Sequence, residues 1–315
     1  MTLQQLRYLL ALDHHRHFGR AAASCFVGQP TLTIQLQKLE EELNVQLFDR
    51  KAKPIAPTSL GITVIAQARA IMNEVDVLKA LLDEESDSVE GEYTLGIIPT
   101  LSPYLLPLFI KQFIDAFPQV KLRIKELQSE DIIAGLERKT IDVGLLVTPL
   151  EERHLREIVL FYEPFLIYAS PEEDILQKKP LLPDHVQRED LWVLQQGHCF
   201  RNQVLNICDA ETYTGKAGSS ALPNLSFEAG SIETLKHMVR NNLGYTIIPE
   251  LAVDPVVDAR LVKRFAEPQP AREVSLVVNK TFSKEQLLVE LRERILAVVP
   301  PEFRKNDRFM GVRWR

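Results

Sequence analysis

Two of the three cysteines in this 315-residue chain lie nine positions apart, in the segment Gly197-His198-Cys199-Phe200-Arg201-Asn202-Gln203-Val204-Leu205-Asn206-Ile207-Cys208. A zinc site wants cysteines roughly two to four residues apart, with further sulfur or imidazole ligands nearby. The spacing of nine, with His198 the only local imidazole, fits that poorly. A permanent disulfide needs Cα atoms within about 7 Å. Phe200, Val204 and Ile207 recur at helical spacing, and a continuous helix would hold the two thiols about 13 Å apart on opposite faces. Bonding Cys199 to Cys208 therefore requires the segment to remodel, which suits a switch better than a staple. A reactive thiol wants its pKa lowered by cations or a helix N-terminus. His198 and Arg201 flank Cys199, and the Gly197-His198 break puts it near the start of a helix. A peroxide would convert such a thiol to a sulfenic acid, which condenses with a second thiol. Two buried cysteines without chemistry remain an equally open reading.

The elements around this segment alternate in type. From Glu92 onward, "YTLGIIP", "VKLRIKEL", "IDVGLLV", "FLIYAS", "LWVLQQ", "GYTIIPE" and "SLVVNK" read as strands. Between and after them, "LLPLFIKQFIDAFP", "SEDIIAGLERKT", "SIETLKHMVRNN" and "KEQLLVELRERILAVV" read as helices. That alternation predicts an α/β domain with a mostly parallel sheet. A hydrophobic share of 45% and a charged share of 25% exclude a disordered or fibrous chain. No run of about 18 apolar residues is present, so no membrane partner is expected. The first residues lack the basic start and apolar stretch of a secretion signal. With an odd cysteine count, this points to the cytoplasm, where thiols are reduced.

The first 60 residues are different in texture. They carry seven Lys/Arg against five Asp/Glu, whereas the whole chain has net charge −6. Apolar residues at helical spacing, with breaks near His15–His17, Val27-Gly28 and Asn44, predict three short helices. "QLFDRKAKPIAPTSLG" reads as an extended hairpin, and a long amphipathic helix follows from Thr58 to about Leu82, capped by Thr58 or Ser59. "DEESDSVEGE" reads as a linker. An Ala-rich helix, a turn at Gly28 and a helix opening on Gln29-Pro30 form a helix-turn-helix. Gln29, Thr31, Thr33, Gln35 and Lys38 are expected on its outer face, able to meet base edges. Arg50, Lys51 and Lys53 are expected to meet phosphates. A solvated helical hairpin is the bland reading. Cys25, among alanines, reads as a small buried hydrophobe.

"LRYLLAL", "FGRAAA", "GQPTLTIQLQKLEEEL", "LFDR" and "PTSLG" make residues 1–65 resemble the winged helix-turn-helix of LysR-type transcriptional regulators, with Gly28 where that family more often has serine. "GHCFRNQ" with Cys208 nine positions after Cys199, and "SIETLKHMV…GYTIIPELAV", resemble the peroxide-sensing members of that family. The resemblance implies a winged helix-turn-helix over 1–60, a linker and dimerisation helix over 58–88, and a two-lobed, periplasmic-binding-protein-like α/β regulatory domain over 89–315. Lobe I would take about 89–162 and 268–300, and lobe II about 163–267. The resemblance implies Cys199 as the peroxidatic cysteine and Cys208 as the resolving one. Thr100, Ser129, His198 and Arg201 would line the peroxide pocket, Ser129 standing where the family more often has threonine. Gln29, Pro30, Thr31, Thr33, Gln35, Lys38, Arg50, Lys51 and Lys53 would form the DNA-binding set.

The implied partners are double-stranded DNA, further copies of the chain as homodimer or homotetramer, RNA polymerase, and a thiol reductant such as glutaredoxin or thioredoxin. No cofactor or metal is implied. A LysR-type regulator gated by a metabolite between the lobes, or a thiol peroxidase, are the competing readings. A peroxidase has no use for the Gln29–Glu40 helix.

Overall fold

The computed structural model describes residues 1–80, 89–186, 191–207, 227 and 229–315. The chain divides into two compact units, residues 1–86 and 87–315.

In the first unit, α1 (Leu3–His15), α2 (Phe18–Ser24) and α3 (Gln29–Leu43) are followed by β1 (Phe48–Asp49), β2 (Ala56–Pro57) and α4 (Ser59–Ala80). Local chemistry sets each start. Thr2 and Gln5 form a capping box on α1. His17 Nδ1 accepts from the Gly19 and Arg20 amides, so the histidine-rich stretch is a helix junction. Gly28 precedes α3 without a side-chain cap, and Pro30 sits in the first turn, where its missing N–H costs nothing. The hairpin is formed by β1 and β2 in antiparallel register. Thr58 caps α4 by accepting from the Gly61 amide at 2.9 Å. A Cβ on Gly61 would collide with the Leu47 carbonyl, so the helix rests directly on the hairpin backbone. Leu9, Leu12, Ala21, Leu32, Leu36, Leu39, Ile65 and Met72 close the core. Cys25 is only half-buried, as the C-terminal cap of α2.

In the second unit, β3 (Gly91–Ile97), α5 (Ser102–Ala116), β4 (Val120–Glu126), α6 (Ser129–Glu137) and β5 (Val143–Thr148) alternate as expected. Then come β6 (Leu155–Ala169), β7 (Leu191–Trp192), α7 (Cys199–Ile207), α8 (Ile232–Arg240), β8 (Tyr245–Pro249), β9 (Val262–Arg264), β10 (Gln269–Asn279), α9 (Glu285–Val298) and β11 (Phe309–Gly311). The strands follow the order β4-β3-β5-β10-β6-β8-β7, with β11 on β10 and β9 on β6. β3 runs parallel to β4 and β5, and β7 parallel to β8. The long strands β6 and β10 are antiparallel to each other and to their other main neighbours, so the sheet is mixed.

Two cores flank those long strands. One gathers β3, β5, α5, α6 and α9 around Leu145, Phe109 and Leu291, and the other gathers β8, α7 and α8 around Phe165, Trp192 and Ile247. β6 enters both, Phe161 packing in the first and Phe165 in the second. The helix α7 also belongs to both. Cys199 packs in the first core, while Phe200, Val204 and Ile207 pack in the second.

Candidate redox site

Cys199 is the first residue of α7 and is 7% exposed. The left-handed Gly197 before it (φ 100°) brings the loop against the Gln128 side chain, where a Cβ would be 2.7 Å from Oε1. Gln128 precedes α6, so this close approach joins the starts of α6 and α7. Ser129, the first residue of α6, is buried with its hydroxyl toward the Cys199 sulfur. That contact falls short of a regular hydrogen bond, and among the described residues the oxygen has no other partner. Thr100, in the turn between β3 and α5, is 3% exposed. Gln203, one turn along α7 from Cys199, is fully buried, with Oε1 unpartnered among the described residues. Unpaired buried oxygens are rare, and the Ser129 oxygen beside the thiol has hydrogen-bonding capacity to spare.

The charge at the site comes from a residue distant in sequence. Arg272 on β10 is fully buried. Its Nε donates to Glu163 Oε2 on β6 at 2.8 Å, and Nη1 and Nη2 donate to the Thr100 hydroxyl and carbonyl at 2.9 and 3.0 Å. The guanidinium lies over the Phe200 ring, 5.8 Å from its centroid. Glu163 Oε1 in turn accepts from the Leu251 amide. Because Arg272 donates to a lone pair of the Thr100 oxygen, the Thr100 hydroxyl hydrogen is directed away from the guanidinium.

Contrary to the lowered value expected of a reactive thiol, the Cys199 pKa lies above the ordinary thiol value, because burial outweighs every group that favours the thiolate. The Ser129 hydroxyl, the Arg272 charge and the backbone N–H groups opening α7 pull it down. The expected helix N-terminus is thus in place, but the stabilising cation is Arg272 rather than the flanking pair. Burial lowers the His198 pKa from its ordinary value, so the imidazole is neutral at neutral pH. Half-buried Arg201 directs Nη1 to the Leu194 carbonyl at 2.9 Å. Cys208 lies outside the described residues, as does most of the Gly/Ser-rich stretch after it.

Arg272 and Glu163 were not singled out from sequence. The signal was a charge beside each of two apolar strand runs, Arg272 with Glu273 in "PAREVSLVV" and Glu163 in "YEPFLIYAS". Charges at such positions are buried only in pairs.

On the first unit, Gln29, Pro30, Thr31 and Lys38 are exposed on α3, and Arg50, Lys51 and Lys53 on the hairpin. Thr33 and Gln35 are half-buried, with the Thr33 hydroxyl donating to the Gln29 carbonyl and Gln35 Oε1 accepting from Gln5. Arg50 is paired with Glu40 at 2.7 Å.

A DNA-reading head followed by a two-cored α/β sensor unit is the build of a bacterial one-chain transcription regulator. Residues 3–62 match the bacterial regulatory helix-turn-helix protein, lysR family, and residues 86–300 match the LysR substrate binding domain. The chain belongs to the LysR family. Within it, the chain is 34% identical over 307 residues to the DNA-binding transcriptional dual regulator OxyR of Escherichia coli (strain K12), covering 97% of this chain and 98% of that protein. It is 35% identical over 279 residues to the hydrogen peroxide-inducible genes activator of Haemophilus influenzae, covering 88% and 90%. The solved structure of full-length OxyR C199D from Pseudomonas aeruginosa matches with a TM-score of 0.72 at 30% identity, over 95% of this chain and 99% of that one.

Proposed function

We propose that this chain is a DNA-binding transcriptional activator that senses hydrogen peroxide by reversible formation of a Cys199–Cys208 disulfide. The observation carrying this reading is the buried Cys199 at the start of α7, facing the Ser129 hydroxyl and within the field of Arg272. The Cys199 thiolate attacks one peroxide oxygen, the S–O bond forms as the O–O bond breaks, and hydroxide leaves with a proton from the pocket. The Cys208 thiol then attacks the sulfenic sulfur, the S–S bond forming as the S–O bond breaks, and the hydroxyl leaves as water with the thiol's proton. In this reading Thr100 donates to the peroxide, Ser129 and His198 orient it, and Arg201 fixes the loop leading into α7.

The known relatives support the regulatory role, since their names describe transcription regulators rather than enzymes. The oxidised chain would reposition the heads on DNA, with Gln29, Pro30, Thr31, Thr33, Gln35 and Lys38 at base edges and Arg50, Lys51 and Lys53 at phosphates. RNA polymerase would be the downstream partner, a cytoplasmic dithiol protein would reset the disulfide, and α4 would join copies into dimers and tetramers. No helix among the described residues is long and apolar enough to cross a membrane. The domain limits 1–60, 58–88 and 89–315 go with this reading, with β6 and β10 as the crossover strands between lobes.

Thiol-trapping mass spectrometry after one equivalent of hydrogen peroxide tests it, with Cys199→Ser as control. The expected result is a Cys199–Cys208 disulfide within seconds, absent in the control, with no catalytic turnover when a dithiol is supplied. Free thiols after treatment would sink the reading. Rapid turnover would make the chain a peroxidase.

A further inference from the structure

Three carboxamides on α7 hold one short stretch of chain. Asn202 Nδ2 donates to the Trp314 carbonyl at 3.0 Å, Gln203 Nε2 to the Val312 carbonyl at 2.9 Å and Asn206 Nδ2 to the Arg313 carbonyl at 2.8 Å. That stretch is pinned at both ends. Before it, β11 pairs in parallel with β10, and the Val312 amide donates to the Ala271 carbonyl. After it, Trp314 is 4% exposed in the first core and donates through Nε1 to the Pro149 carbonyl at 3.2 Å. Arg315 donates to Leu150, Glu152 and Glu130. Glu130 follows Ser129, so the same stretch touches α7, which carries Cys199, and α6, which carries Ser129.

We infer that residues 312–315 are a positioning strap, which holds α7 helical in the dithiol state and thereby sets how readily the Cys199–Cys208 disulfide forms. The inference rests on the peroxide-switch reading. Eight residue steps of intact helix from Cys199 to Ile207 span about 12 Å. Cys208, one residue further, comes no nearer than about 8 Å to Cys199. A disulfide needs less than about 7 Å. The bond between the sulfurs therefore requires α7 to break. The three amides, spaced i, i+1 and i+4, meet three successive carbonyls only while α7 is wound. Their bonds stabilise the dithiol and are lost on oxidation. The strap leaves the first step, sulfenic acid formation, untouched and opposes the second.

The test uses the full chain with two double variants. Trp314→Ala with Arg315→Ala detaches the strap, and Asn202→Ala with Asn206→Ala cuts the clip while leaving the strap seated. Alanine favours helix, so a gain of disulfide in the second variant cannot come from weakened helix propensity. The disulfide-to-dithiol ratio is read in a dithiothreitol redox buffer, which needs no peroxide. Sulfenic acid formation is timed separately in a Cys208→Ser background. The expected result is a roughly tenfold higher disulfide ratio in both variants, a potential lower by about 30 mV, with sulfenic acid formation within twofold of the parent. A ratio within twofold of the parent in the clip variant overturns the strap while leaving the peroxide reading intact. Absence of any Cys199–Cys208 disulfide in the buffer overturns both.

Discussion

At the scale of single residues, the site balances a buried thiol against one buried cation that is itself largely neutralised. Arg272 lowers the Cys199 pKa, but its charge is shared with Glu163, whose carboxyl burial pushes up. Replacing either partner leaves the other unpaired and destabilises the regulatory unit by about 3–5 kcal/mol. The two replacements act on the thiol with opposite signs. Arg272→Met removes the cation, so Cys199 alkylation at pH 7 slows about tenfold, the effect of about 1.4 kcal/mol of lost charge stabilisation. Glu163→Gln removes the neutralising anion, so alkylation at pH 7 quickens. A pH profile of Cys199 alkylation in a Cys208→Ser background reads both, and shifts of the same sign would contradict this account. The Ser129 hydroxyl favours the thiolate more than Arg272 or the helix amides do, and all of them together fall short of the burial that holds the Cys199 pKa above its ordinary value.

At the scale of elements, the site depends on two helix starts meeting at one glycine. Gly197→Ala puts an L side chain at φ 100° and against Gln128. The expected cost is about 1–3 kcal/mol of stability, with peroxide oxidation of Cys199 slowed more than its alkylation by a small reagent. Denaturant unfolding and stopped-flow oxidation measure the two parts. These helix starts were legible in the sequence, because Gly197-His198 breaks the pattern before Phe200, Val204 and Ile207, and "SEDIIAGLE" opens on a serine and two acidic residues. The head was legible for the same reason, its apolar spacing and Pro30 marking α3. The long strands were only half legible. β6 was recognised from Phe165 and β10 from Ser275, although they begin at Leu155 and Gln269. Their first halves, "LREIVLFYEP" and "QPARE", carry charges and prolines that local propensity reads as loop. In the fold Glu163 and Arg272 pair across the sheet, and no local pattern reveals a partner 109 residues away. The stretch after α9 was missed too, since "PPEFRKNDRFMGVRWR" is polar and short of periodicity, yet Phe303 and Trp314 are core residues.

At the scale of the whole molecule, α4 carries more apolar surface than one head can cover. Ile65, Ala68 and Met72 pack inward, whereas Ile62 is 59% and Leu78 63% exposed. In the proposed function these exposed apolar side chains of α4 would be covered by another copy of the chain. Ile62→Asp combined with Leu78→Asp is expected to lower the oligomeric state in sedimentation experiments, with the melting temperature of the regulatory unit unchanged. DNA affinity should fall on the order of a hundredfold as avidity is lost; an unchanged sedimentation coefficient would place the contact elsewhere. The burial of the redox site has a consequence of another kind. Thr100, Ser129, His198 and Cys199 are each 7% exposed or less, so in the proposed function hydrogen peroxide would reach the sulfur much faster than a bulkier disulfide such as oxidised glutathione. In the proposed switch the bulk disulfide pool would act slowly at this site, and opening of α7 on oxidation would expose the new bond to bulky reductants. The signal would be written through one entrance and erased through another, giving the switch a memory that outlasts the pulse that set it.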